Sequence, residues 1–73
     1  MDEILKEEIR TGIINIKSYD LIGEDLVDCR KYIETMLDII KTELNKKPNN
    51  EDELFLINHY VLYSDYLDVI KFF

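Results

Sequence analysis

An apolar stripe runs unbroken through residues 24–45. Ile22, Leu26, Cys29, Ile33, Met36, Leu37, Ile40 and Leu44 recur at three- and four-residue steps, with one step of a single residue. At about 100° per residue they fall on one helical face about 100° wide, the width of a helix docked on one core. Asp25, Asp28, Arg30, Lys31, Glu34, Asp38, Lys41 and Glu43 fill the rest of the surface. A segment patterned in this way commits the chain to a helical fold.

Two breaks bound the stripe. Ser18-Tyr19-Asp20-Leu21-Ile22-Gly23 supplies turn formers on one side. On the other side stands Lys46-Lys47-Pro48-Asn49-Asn50. There lysines suit a helix C-terminus, Pro48 stops the helix, and Asn50 with Glu53 resembles a capping pair for the next one. Before the first break, Leu5, Ile9, Ile13 and Ile16 share a narrow arc, which predicts a helix over residues 2–17. The competing reading is a strand at Thr11–Lys17, where Gly12 weakens a helix and Ile13-Ile14-Asn15-Ile16 is partly alternating. After the second break, Glu51-Asp52-Glu53 suits a helix N-terminus and predicts a third helix over residues 51–72. The expected architecture is therefore a single all-α domain over residues 1–73, a three-helix up-down-up bundle with helices at about 2–17, 24–45 and 51–72.

The third segment carries more apolar surface than two neighbours cover. Leu56, Tyr60, Tyr63, Leu67 and Ile70 share one side, and Phe55, Leu62, Tyr66, Val69 and Phe73 continue it. Even the polar side holds Leu54, Ile57, Val61 and Phe72, leaving Asn58, Ser64, Asp65, Asp68 and Lys71 to face water. Small domains need stabilisation beyond their own core. One cysteine and one histidine offer neither a disulfide nor a zinc site. Self-association or a partner chain is the remaining route. The expected contact surface is Phe55, His59, Tyr60, Tyr63, Tyr66, Leu67 and Ile70, since tyrosine is large, stiff and keeps a polar tip.

Charge narrows the partner. Sixteen acids against nine bases give a net charge of −7. That disfavours nucleic acid and anionic membranes, both of which select basic patches. Stacking of the tyrosines on bases would need interleaved Lys or Arg, and residues 51–70 have none. At 47% apolar residues the chain is not disordered. No apolar run is long enough to span a membrane, and the acidic opening Met1-Asp2-Glu3 does not resemble a signal peptide. A soluble, cytoplasmic protein is expected.

No motif for phosphate binding, metal binding or paired-carboxylate catalysis is present, so neither enzyme activity nor a cofactor is expected. Cys29 lies at the centre of its stripe and reads as a packed small hydrophobe. His59 lies on the wide arc and reads as a histidine hydrogen-bonded in a core or interface rather than a base, ligand or pH switch. The acids Glu3, Glu7, Glu8, Glu24, Asp25, Asp28, Glu51, Asp52 and Glu53 read first as a solvated surface. They also suggest a second role, a viral- or plasmid-type inhibitor that blocks a nucleic-acid-binding protein with its acidic face.

Met1-Asp2, the Gly12 break, Asp25-Leu26-Val27-Asp28 and the Tyr66-Leu67…Ile70-Lys71-Phe72-Phe73 end together resemble the helical A-domain of GINS replication-complex subunits. The resemblance implies a replication-complex adaptor. The chain departs from that family at Asp65 and Asp68, where the family's third helix is basic, and no counterpart of the family's second domain is expected within residues 1–73. Were Thr11–Lys17 a strand, two chains would pair as in ribbon-helix-helix regulators, with Asn15 and Lys17 toward DNA. An uninterrupted second helix argues against that. The leading expectation is a non-enzymatic protein–protein interaction module, self-associating or bound to a larger protein.

Overall fold

A computed structural model describes residues 1–18 and 23–70, with only the backbone of residues 18, 23 and 24. It is an all-α bundle of three helices: α1 Glu3–Ser18, α2 Gly23–Asn45 and α3 Asn50–Ile70. No strand occurs among the described residues. Residues 19–22, with Ile22 and most of the first expected break, and residues 71–73, with Lys71, Phe72 and Phe73, lie outside them. The Thr11–Lys17 segment is helical, so the ribbon-pairing alternative loses its strand.

α1 and α3 each begin with a side chain that satisfies a free backbone N–H. Asp2 caps α1: its carboxylate accepts from the Ile4 N–H at 3.0 Å, and its carbonyl accepts from the Lys6 N–H at 3.0 Å. At α3 the cap is Asn49, one residue earlier than the spacing suggested. Its Oδ1 accepts from the Asp52 N–H at 2.8 Å, and its carbonyl accepts from Glu53 at 2.8 Å. α2 ends as Lys47 turns into the left-handed region, with φ 55°, and its N–H bonds back to the Leu44 carbonyl at 3.2 Å. Pro48 follows and lacks the N–H that would close the second bond of such a helix end.

The core is one layer shared by all three helices. Ile9 and Ile16 enter from α1, Cys29, Ile33, Met36, Leu37 and Ile40 from α2, and Leu56, Tyr63 and Ile70 from α3. Fully burying a large aliphatic side chain contributes on the order of 1.5–3 kcal/mol. The α2 residues reproduce the sequence stripe, with Leu26 and Leu44 half-buried at its ends. α2 and α3 pair extensively, and α1 touches both more sparingly.

Tyr63 decides how α1 sits. It is 0% exposed, and its hydroxyl donates to the Ile9 carbonyl at 2.7 Å, deep between α3 and α1. Gly12 makes room for it. A Cβ at residue 12 would overlap the Tyr63 hydroxyl and stand 2.7 Å from that of Tyr32. Gly12 is thus a close-approach residue inside a continuous helix, and the break it suggested in sequence does not occur. Lys6 lies toward Asp52 and Ile9 toward Tyr63, so α1 runs parallel to α3 and the order is up-down-up.

Two opposite glycine exchanges follow from this geometry. Gly12→Ala gains about 1 kcal/mol of helix propensity but loses about 1–3 kcal/mol to overpacking, a net loss of stability. In a Tyr63→Phe background the same change should cost less, because only the Tyr32 hydroxyl then stands closer than 3 Å to the new Cβ. Urea denaturation of the four chains tests this, and additive effects would refute the contact. At the other site, Lys47→Gly relieves the left-handed strain and should raise stability by up to about 1 kcal/mol. A fall in the urea midpoint of that variant would contradict the strained corner.

Candidate interaction face on the third helix

Two polar clusters flank α3 on its inner side. Asp52, 6% exposed, accepts from the Met1 ammonium at 2.9 Å and from the Lys6 ammonium at 3.1 Å. The first hydrogen bond, then that of Lys6, holds the Asp52 carboxyl below the usual carboxylate range against the opposing effect of desolvation. Lys6 is therefore half-buried in an ion cluster. The second cluster centres on Phe55. The Lys6 ammonium stands 5.3 Å and the Arg10 guanidinium 5.7 Å from its ring centroid. The His59 ring centroid lies 4.1 Å from that of Phe55, and Arg10 also pairs with Glu7.

The His59 Nδ1 lies 2.8 Å from the Phe55 carbonyl. A carbonyl only accepts, so Nδ1 carries the hydrogen and Nε2 is the free nitrogen in the neutral ring. The expected histidine is one hydrogen-bonded in a core or interface; His59 is half-buried, and its bond runs to the carbonyl one turn back in its own helix. Cys29 is fully buried, and burial pushes its thiol pKa up, as packing rather than reactivity requires. Among the described residues, no three His, Cys, Asp or Glu side chains cluster as metal ligands. No helix there is long and apolar enough to cross a membrane.

The structure brings all seven residues of the expected contact surface to the inner side of α3. Tyr63 and Ile70 are fully inside the core, and Phe55, Tyr60, Tyr66 and Leu67 pack half-buried against it. His59 is half-buried beside them, and the Lys41 ammonium covers Tyr60 at 5.8 Å. In this conformation Tyr63 and Ile70 cannot touch another chain. The tyrosine face is largely occupied by α1 and α2.

The apolar surplus itself is present, on the opposite side of the helix. Leu54, Ile57, Val61, Leu62 and Val69 are between 43% and 61% exposed. With Glu51, Asn58, Asp65 and Asp68 they occupy a contiguous outward arc of about 140° at 100° per residue. Elsewhere, exposed large aliphatics stand apart: Ile4 and Ile14 on α1 and Val27 on α2. At one edge of the outward arc, Leu62, Asp65, Tyr66 and Val69 line a shallow depression of about 210 Å³. The signal available in sequence was the 54, 57, 61 spacing on the side with the polar residues.

Comparison with protein-family models, curated proteins and solved structures finds no match to this chain. The resemblance to the GINS A-domain rests on the residues that suggested it.

The Asp52 cluster predicts an acid-side effect. A carboxyl whose pKa is depressed on folding contributes stability above its ordinary value of 3.8, and that contribution disappears as pH falls through the lower folded value. The stability gap between wild type and Asp52→Asn should therefore be widest near neutrality and close as the solution is acidified below about pH 4. Urea midpoints measured across that range check this, and a gap constant with pH would show that the cluster contributes no linkage.

Proposed function

We propose that this chain is a small, intracellular, non-enzymatic protein–protein interaction module whose working surface is the outward face of α3. One observation carries the reading. Five large aliphatic side chains on a single helix face remain 43–61% exposed although the core behind them is complete. Contiguous exposed apolar surface of this kind marks association sites, whereas isolated exposed aliphatics are ordinary. The working surface is thus the reverse of the tyrosine face that the sequence pattern favours.

The acids of this face, Glu51, Asp65 and Asp68, are interleaved with the aliphatics rather than forming a continuous anionic array. That favours apolar docking over imitation of a phosphate backbone.

A photo-reactive phenylalanine analogue at Val61 should form a discrete protein adduct in the source cell. Ile57→Ser with Leu62→Ser should abolish that adduct, and the analogue at exposed Glu34 on α2 should form none. Equal labelling from Val61 and Glu34, or none from either, would reject the outward face as a binding surface.

A further inference from the structure

Charge on the outward face of α3 restricts what can cover it. Residues 50–70 contain no lysine or arginine, so every charge on this face is negative. Asp65 and Asp68 form no ion pair with a described residue. The cations that contact α3 among the described residues lie elsewhere. Lys6, Arg10 and Lys41 lie over Phe55 and Tyr60 on the inner flanks, and Lys6 and Arg10 are already paired with Asp52 and Glu7.

A second copy is disfavoured for this reason. Two α3 faces packed together would set Asp65, Asp68 and Glu51 against the same residues, and like charges across an interface oppose association. An anionic lipid surface meets the same repulsion. A wholly apolar partner would desolvate the acids without pairing them. The depression lined by Leu62, Asp65, Tyr66 and Val69 has aliphatic and aromatic walls and one carboxylate. Those walls suit the methylene stem of a lysine or arginine, with the charged head at Asp65. The aliphatics follow helical spacing, so a helix laid along α3 can interdigitate with them.

Resting on the reading of this face as a binding surface, we infer that its occupant is a basic amphipathic helix of another protein. Its apolar stripe covers Leu54, Ile57 and Val61, its cationic flank pairs with Asp65 and Asp68, and one lysine or arginine fills the depression beside Tyr66.

The probe is a stapled helical peptide with leucines along one stripe and lysines on its flanks, compared with its twin carrying glutamates in place of the lysines. Fluorescence anisotropy with the full chain should show the lysine peptide binding at least about tenfold more tightly. Asp65→Lys should weaken that binding about tenfold, while Asp38→Lys, the same charge change on the outer side of α2, should alter it less than about twofold. Far-UV dichroism confirms that both exposed substitutions leave the fold intact, and Asp65→Asn serves as a milder companion.

Equal losses from Asp65→Lys and Asp38→Lys would reduce the binding to diffuse attraction and overturn the inference. Equal binding of the two peptides would overturn it as well. The protein alone should sediment as a monomer. A dimer dissolved by Val61→Ser would replace the basic partner with a second copy, and Val61-dependent binding to anionic vesicles would replace it with lipid. The cross-linking experiment judges the face itself, so failure of the charge assignment and failure of the surface are separately visible.

Discussion

The arrangement depends on one contact, the Tyr63 hydroxyl against the Ile9 carbonyl in the space left by Gly12. Tyr63 is an aromatic ring with a polar end, and full burial of such a ring is favourable only if the hydroxyl finds an acceptor. α1 supplies one on its own backbone. The acceptor is reachable because residue 12 has no side chain. The bond fixes both the depth and the axial position of α1 on α3, and Ile9 and Ile16 enter the core in the register it defines. The Tyr63 phenol is accordingly held well above its ordinary titration range, chiefly by desolvation. An anion there would have no compensating donor.

Much of this was legible from spacing. The α2 stripe reappears as buried Cys29, Ile33, Met36, Leu37 and Ile40, because a helix with one narrow apolar face has a single way to dock. The corner at Pro48 was equally plain, since proline ends a helix whatever surrounds it. The cap fell one residue off, at Asn49, because Asn49 and Asn50 are chemically identical candidates and only backbone geometry separates them. The strand alternative for Thr11–Lys17 took Gly12 as a helix breaker, but a glycine required by a tertiary contact looks the same in sequence. Thr11 also sits comfortably in the helix, with its hydroxyl donating to the Glu7 carbonyl at 2.9 Å.

The candidate site was the least legible part. α3 is apolar over most of its circumference, so the periodicity that locates the core side of α2 loses its power there. Tyrosines drew attention because they are frequent at interfaces, yet the same amphipathic character lets them line the inner flank of a small bundle, where Lys41 covers Tyr60 and His59 meets Phe55. Which part of a wide apolar arc stays uncovered depends on where the neighbouring helices lie. That information resides in α1 and α2, not in α3. Side chains such as Lys6, polar in sequence but half-buried at an ion cluster, show the same dependence.

The pairing of α2 with α3 across a short corner also has a kinetic side. Contacts between segments joined by a few residues form at low loop-closure entropy, whereas the bond from Ile9 to Tyr63 spans 54 positions and closes a much larger loop. The hairpin can therefore assemble before α1 has found its place, and the cleft that receives Tyr63's partner carbonyl exists only once the hairpin has formed. α1 precedes the hairpin in the chain, so of these three helices the first to be made can be the last to be seated.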